Sequence, residues 1–332
     1  MYVAATRAKS GLCVSSYYQD HSGQEVAASS IVQSAFAIKK IEQTDNQKLL
    51  EVLEENLRWP ALDGGLEKEI IKARLEEYNL SSTHLQNFLD IKKGGPQYFK
   101  ERNLLNLPEA KAPHLSFGTA IHAALDLGQK LTNQSNFDLD KVVAEFKISL
   151  KNEQMEPAQY KRYLQKGQKT LARLFGDFGY TLPKGSQSEQ KLKDVRMGSA
   201  ILSGKLDRVD QIGADIRIVD YKTGSVLRSF DTKDKNLALK AHNHKTQLIF
   251  YTLLLGAEAG TAEGQMVYLE AESQKAILRG YVPTKDDMQR LRQLIEAVYA
   301  KIVSYDLPDA SCYTPDLAGL IAFEDDLIEG RC

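Results

Sequence analysis

Two neighbouring segments, SGKLDRVDQI and DIRIVDYKTG, constrain the fold more than any other stretch, because together they predict an antiparallel β-hairpin. Only Gly213 and Ala214 separate the two alternating runs, and a glycine in the first of two turn positions favours a type II′ turn. In that register Asp207 on the first strand falls directly opposite Asp220 on the second. The hairpin therefore predicts two carboxylates side by side.

Paired carboxylates of this kind indicate a cation site. Directly opposed residues have Cβ atoms about 4.5–5.5 Å apart, where like charges are destabilising. A divalent cation between Asp207 and Asp220 would remove that repulsion, since hard cations prefer oxygen ligands. Lys222 follows Asp220 by two residues and leaves the same face, where an amine can position water or offset charge beside a bound phosphate. The alternative is a surface hairpin with scattered charges.

Two predicted helices carry further candidate residues. In FGTAIHAAL, His122 follows small residues on a helix, where a histidine can be either a metal ligand or a buried structural residue. In KTQLIFYTLLL, Gln247 and Tyr251 are four residues apart and so share one helix face. For that pair the alternative is the polar edge of an amphipathic helix.

The order of predicted elements favours a mixed α/β fold. Helices are expected over 116–129 and at Val142–Leu150, and LSSTHLQNFLD has serines suited to starting one. Strand patterns begin near Ser188, followed by a helix over 245–255, two strands, and an amphipathic helix over 285–305. We expect a central mixed sheet flanked by helices, with helical additions.

Composition excludes several classes of protein. The 332 residues contain no apolar run of transmembrane length and no signal peptide, so no membrane partner is expected. Three scattered cysteines are too few for a disulfide framework and favour a reducing cytoplasm. The net charge of −1 hides a helical segment, 157–176, in which every charged residue is basic. These residues are Lys161, Arg162, Lys166, Lys169 and Arg173. That run is either a solvated helix face or a phosphate-binding surface.

Taken in order, the segments GTAIHAAL, GKLDRVD, IVDYKTG and Q-x-x-x-Y resemble the RecB-family nucleases of the PD-(D/E)XK superfamily. The resemblance covers most of the chain from about Leu80 onward. It implies a metal-dependent deoxyribonuclease, expected to be an exonuclease, that hydrolyses DNA with Mg²⁺ or Mn²⁺. The alternative is a catalytically silent DNA-binding scaffold of a helicase complex.

The resemblance also assigns roles to residues. It makes Asp207, Asp220 and Lys222 catalytic, and it makes His122, both aspartates and the backbone carbonyl of Tyr221 metal ligands. Gln247 and Tyr251 would shape the site and contact DNA, together with the basic residues Lys161, Arg162, Lys166 and Lys169. Some relatives carry an iron–sulfur cluster, but only Cys312 and Cys332 lie in the corresponding region, so no cluster is expected.

The first residues, MYVAATRAK, separately resemble motif VI of UvrD-like superfamily 1 helicases, with Arg7 at the arginine that reaches the ATP γ-phosphate. No G-x-x-x-x-G-K-[ST] loop is present, so no ATPase activity is expected from this chain alone. We therefore expect the C-terminal portion of a helicase–nuclease of DNA repair or recombination, whose partner is an N-terminal helicase motor. The expected segments are a motor remnant (1–30), a helical linker (31–78) and the nuclease domain (79–332).

Overall fold

The computed structural model describes residues 64–107, 111–232 and 234–332. The chain divides into two compact units, Met1–Leu66 and Glu67–Cys332, and nearly all described residues belong to the second. Arg7, the expected motor remnant 1–30 and most of the expected linker 31–78 lie outside the described residues. The expected division into three segments stays a prediction.

Ten α-helices are found in the described part of the chain. They are α1 (Gly64–Glu76), α2 (Ser82–Leu89), α3 (Pro96–Phe99), α4 (Pro113–Asn133), α5 (Leu139–Asn152), α6 (Pro157–Ala172), α7 (Lys235–Leu254), α8 (Gln274–Ile277), α9 (Lys285–Val303) and α10 (Leu317–Ile328). A 3₁₀ turn, Ile91–Lys93, follows α2, and single π-helical turns follow α3 and α6.

Among the residues that the structure describes, five strands form one mixed sheet in the order β1-β2-β3-β4-β5. They are β1 (Gln187–Met197), β2 (Ala200–Ile212), β3 (Asp215–Lys222), β4 (Ala262–Tyr268) and β5 (Leu278–Tyr281). β3 and β4 are parallel and are connected through α7, whereas the other neighbours are antiparallel. This mixed sheet flanked by helices confirms the predicted α/β class.

The β2–β3 hairpin has the predicted register. Val209 pairs with Ile218, and Ile212 pairs with Asp215. Gly213 has a φ of 62°, while Ala214 is not among the residues with positive φ, as a type II′ turn with glycine in its first position requires. Turn chemistry and strand alternation therefore agree, and they fix which side chains reach each face.

The described buried apolar side chains form two clusters. One joins the sheet to α2, α9 and α10 and includes Phe88, Leu206, Ile295 and Phe323. The other joins it to α4, α5 and α6 and includes Ile121, Phe146, Leu171 and Val219. Helix α7 contributes to both clusters through Phe250 and Leu248. The sheet therefore holds α4 and α7, which carry the candidate side chains, against its strands.

Helix boundaries follow local signals in part. Ser81 caps α2 by accepting a hydrogen bond from the backbone of His84, and Gly94, with a φ of 103°, ends the 3₁₀ turn after it. The helix expected over 245–255 is longer and begins at Lys235. No described helix combines the length and apolarity that a membrane span needs.

Candidate active site

The hairpin, α4 and α7 enclose a cleft of about 580 Å³. The paired register of β2 and β3 extends to Arg208 and Val219, so Asp207 and Asp220 occupy the next position along the two strands. His122 lines the same cleft from α4. Lys222, Gln247 and Tyr251 line it as well, so the structure brings these six sequence-predicted side chains to one place.

His122 is held by both of its ring nitrogens. Nδ1 lies 3.0 Å from Oδ1 of Asp207, and Nε2 lies 3.0 Å from the backbone carbonyl oxygen of Tyr221. Because a carbonyl oxygen only accepts, Nε2 donates that second bond. The other carboxylate oxygen of Asp207 accepts a hydrogen bond of 2.8 Å from the backbone N–H of Tyr221. Imidazole, carboxylate and carbonyl therefore form one connected group.

The pKa values of the two aspartates are shifted in opposite directions. Burial opposes ionisation of Asp207, but the hydrogen bond and positive charge of His122 outweigh it and lower the pKa of the Asp207 carboxyl. Burial raises the pKa of Asp220, and the nearby charge of Asp207 raises it further, against the opposing effect of Lys222. Each ionised carboxylate opposes ionisation of the other, so a divalent cation between the two would favour the ionised form of both.

Lys222 connects the carboxylates to α7. Its Nζ lies 2.7 Å from Oδ2 of Asp220 and donates a 2.7 Å hydrogen bond to Oε1 of Gln247. The amide of Gln247 in turn donates to the hydroxyl of Tyr251 at 2.9 Å. The predicted Q-x-x-x-Y pair therefore positions the ammonium group, and burial together with the charges of Asp220 and Asp207 raises the pKa of the Tyr251 hydroxyl.

The donor set fits a divalent metal ion. Ligand atoms of His122, Glu189 and Asp207 all lie within 4.8 Å of one another, and this is the group found among the described residues. One imidazole nitrogen and carboxylate oxygens suit Mn²⁺ as well as Mg²⁺. Asp220 is not in this group, and its carboxylate is paired with Lys222. A nitrogen of His122 that ligates a metal must give up its proton and one of its two hydrogen bonds.

Glu189 is the site residue that the sequence analysis missed. It lies on β1 between Ser188 and Gln190, which pair with Arg208 and Leu206, so it stands opposite Asp207. Its φ of 53° interrupts the regular strand, and its carboxylate pairs with Lys205. Nothing in the sequence around Glu189 indicates this register, although the β1 segment itself reads as a strand.

A buried ion pair lies at the base of the hairpin. Arg208 and Asp210 are each 2% exposed and form two hydrogen bonds of 2.8 and 3.0 Å. The remaining terminal nitrogen of Arg208 donates to the hydroxyls of Tyr180 and Tyr221 at 2.8 and 2.6 Å. Because the Tyr221 side chain is fixed here, its backbone N–H and carbonyl are fixed beside Asp207 and His122.

The start of α4 approaches β3 closely. A Cβ atom placed on Gly118 would lie 3.3 Å from the Oγ1 of Thr223, the residue that follows Lys222. The small residues before His122 therefore let the helix pack near the end of the strand. This close approach brings His122 on α4 within hydrogen-bond distance of Asp207.

The basic helix predicted over 157–176 forms α6, but its four candidate DNA-binding residues lie elsewhere in the fold. None of Lys161, Arg162, Lys166 and Lys169 is among the described residues lining the cleft. Lys166 pairs with Glu270 at 2.7 Å and stacks over the ring of Phe117. Their role in DNA binding stays a prediction.

Comparison with known proteins places the chain in a family. No curated protein matches it. The crystal structure of a presumed exonuclease from Eubacterium rectale aligns with 14% identity and a TM-score of 0.45, covering 73% of this chain and 86% of that one. The crystal structure of SSO0001 aligns with 17% identity and a TM-score of 0.25, covering 68% and 87%.

The sequence family described as the PD-(D/E)XK nuclease superfamily matches residues 79–312, more than two thirds of the chain. This range contains the hairpin, α4 and α7, and therefore every residue of the cleft discussed above. Nucleases of this superfamily use divalent metals, in agreement with the donor set of His122, Glu189 and Asp207. The chain belongs to the PD-(D/E)XK nuclease superfamily.

Proposed function

We propose that this chain is a metal-dependent deoxyribonuclease of the RecB type that hydrolyses phosphodiester bonds in DNA. The observation that carries the proposal is the connected group of His122, Asp207 and the Tyr221 carbonyl, next to the Asp220–Lys222 pair. A surface hairpin with scattered charges would not have its carboxylates bonded to an imidazole from a separate helix. Mg²⁺ or Mn²⁺ is the proposed cofactor.

In this proposal His122, Asp207, Asp220 and the Tyr221 carbonyl are the metal ligands, and Glu189 is an additional one. A bound divalent ion supplies a water of lowered pKa and neutralises charge on the phosphate. Lys222 has the position to hold the attacking water or to offset charge on the phosphate oxygens, because its Nζ lies between Asp220 and Gln247. Gln247 and Tyr251 restrict where that ammonium group can point.

The cellular context extends the proposal beyond this site. The motif VI resemblance around Arg7 supports a place behind a superfamily 1 helicase motor, in DNA repair or recombination. Because the phosphate-binding loop of such motors is not in the sequence, ATP hydrolysis would be the work of that partner. Exonuclease action and a cytoplasmic location, favoured by the few scattered cysteines, belong to the same proposal.

The test is DNA cleavage by the purified chain. End-labelled single- and double-stranded DNA is incubated with Mn²⁺, with Mg²⁺ and with a chelator, and products are separated by length. We expect metal-dependent cleavage, lost in Asp220→Asn and in Lys222→Ala while DNA binding is retained. Stepwise shortening from one end indicates an exonuclease.

Two controls make the result decisive. Asp286→Asn changes an exposed aspartate in the first turn of α9 and should leave cleavage unchanged. Circular dichroism and thermal melting of each variant exclude unfolding as the cause of lost activity. Cleavage that survives in Lys222→Ala, or DNA binding without cleavage by the unmodified chain in any metal, would contradict the proposal, and the latter would favour a silent scaffold.

A further inference from the structure

A second cleft, of about 350 Å³, adjoins the catalytic one. Three lysines line it, Lys92 from the 3₁₀ turn after α2, Lys222 from β3 and Lys240 from α7. None of the eight described residues that line it is acidic. We refer to it as the lysine cleft.

The lysine cleft is built by packing between separate elements. Gln86 on α2 donates a hydrogen bond of 3.1 Å to the backbone carbonyl of Asn243 on α7, and both residues line the cleft. Lys240 donates to the hydroxyl of Ser225 at 2.8 Å, which anchors its Nζ near the loop that follows β3. The amine of Lys240 is therefore anchored by neutral oxygens, and no described carboxylate forms an ion pair with it.

The electrostatic environment shows an excess of positive charge. Burial and the nearby charge of Lys222 lower the pKa of Lys240, with Glu270 acting in the opposite direction. Burial and the charges of Lys222 and Lys240 lower the pKa of His244 to about 3. Nδ1 of His244 and the hydroxyl of Tyr268 form a hydrogen bond of 2.9 Å. An anion bound in this cleft would relieve the repulsion between the lysines.

The two clefts meet at a shared wall. Lys222 and Gln247 line both of them, with the carboxylates on one side and the other two lysines on the opposite side. Lys240, His244, Gln247 and Tyr251 recur at helical spacing along one face of α7, which runs past both clefts. A chain of anionic groups that enters the catalytic cleft therefore has a basic path beyond Lys222.

We infer that the lysine cleft binds a backbone phosphate of the DNA strand next to the one being hydrolysed. The inference rests on the proposed nuclease function and adds a subsite to it, in which Lys240 and Lys92 are binding residues. Lysine binds phosphate as a point charge without reading the base, so the subsite would position the strand without selecting sequence.

The first experiment measures DNA affinity without divalent metal, by fluorescence anisotropy of a labelled single strand over a range of salt concentrations. Each lost phosphate contact on a single strand should reduce the salt dependence of log K by about 0.7. We expect Lys240→Gln and Lys92→Gln each to weaken binding roughly fivefold with that reduced slope. Lys240→Arg should retain the wild-type slope. The control Lys147→Gln, exposed on α5 and lining neither cleft, should change neither quantity.

The second experiment locates the phosphate. Oligonucleotides carry one uncharged methylphosphonate at successive positions around the cleavage point. At one position we expect the wild-type KM to rise while kcat is retained, and Lys240→Gln to show no additional loss there. The inference would be overturned if the losses caused by the methylphosphonate and by Lys240→Gln added at every position. A fall in kcat with unchanged KM would overturn it as well.

The outcomes separate this inference from the proposed function. A chain that binds DNA but does not cut it contradicts the nuclease proposal, while the salt slopes still decide whether the lysine cleft holds a phosphate. If the unmodified chain cuts DNA but both lysine variants have the wild-type salt slope, the nuclease proposal stands and the phosphate subsite is contradicted. Lys92 is exposed, so its substitution should not affect folding and keeps the test valid if Lys240→Gln is unstable.

Discussion

Replacing Arg208 alone should destabilise the protein far more than replacing it together with its partner. Arg208→Met leaves the carboxylate of Asp210, which is 2% exposed, without its two hydrogen bonds and its counter-charge. Breaking a buried ion pair from one side costs about 3–5 kcal/mol. Total stabilities are about 5–15 kcal/mol, so this one change removes a large share.

The double variant provides the contrast. In Arg208→Met/Asp210→Leu both charges are removed, and replacing a buried pair with apolar residues of similar volume is often neutral or stabilising. The hydroxyls of Tyr180 and Tyr221 still lose a donor, at about 1 kcal/mol each. Both variants lose these two bonds, so this cost cancels, and we expect the double variant to be more stable than the single one by roughly 3–5 kcal/mol.

Urea unfolding followed by circular dichroism measures these differences. The single variant should shift the midpoint to lower urea without changing the slope, and it should lower the Tm by roughly 6–20 °C at about 2–4 °C per kcal/mol. Arg217→Met is a useful comparison, because its ion pair with Glu263 is about one third exposed on each side, and it should cost about 1 kcal/mol or less. Equal stability of the single and double Arg208 variants would refute the reasoning.

Two further predictions concern the site and its surroundings. Glu189→Gln removes one carboxylate from the candidate metal group and should weaken Mn²⁺ binding roughly tenfold or more, as measured by calorimetry. The control Glu258→Gln, on an exposed loop, should leave the Mn²⁺ affinity unchanged. Equal affinities of the two variants would show that Glu189 is not a ligand. The pKa of His244 in the folded protein is lowered to about 3, whereas in the unfolded chain it is about 6.5. Between these two values only the unfolded chain binds the proton, so the free energy of unfolding should be highest above pH 6.5 and should fall as the pH decreases towards 3. At pH 4 the loss should be no more than about 3 kcal/mol, and His244→Asn should lose correspondingly less between pH 6.5 and 4 in urea titrations; identical pH profiles would contradict this assignment.

The hairpin and the residues on it could be predicted because their signals are local. The Gly213-Ala214 turn and the alternation on either side of it determine the register, and the register places Asp207 next to Asp220. The helix-borne candidates could be identified from small residues before His122 and from the four-residue spacing of Gln247 and Tyr251. Their proximity in the fold was not readable from spacing and came from the resemblance.

Other features depend on contacts between distant segments. Glu189 reaches Asp207 only through the β1–β2 register and a positive φ, neither of which leaves a pattern in the sequence. Arg208 and Asp210 were not singled out in the sequence, yet both are buried, and the hydroxyls of Tyr180 and Tyr221 accept the hydrogen bonds that Arg208 does not donate to Asp210. Helix α10 was not predicted, although the cap at Asp316 and the apolar spacing after it are local signals.

The close approach of Gly118 to Thr223 has a consequence for how tightly the site can hold an ion. Because glycine has no Cβ atom, α4 lies closer to the end of β3 than it could with a side chain at position 118. Even a methyl group would contact the Thr223 hydroxyl at 3.3 Å, and a larger group would tilt the helix outward. Such a change would widen the distance from imidazole to carboxylate, so the missing side chain at position 118 keeps the proposed ligands together without contributing one.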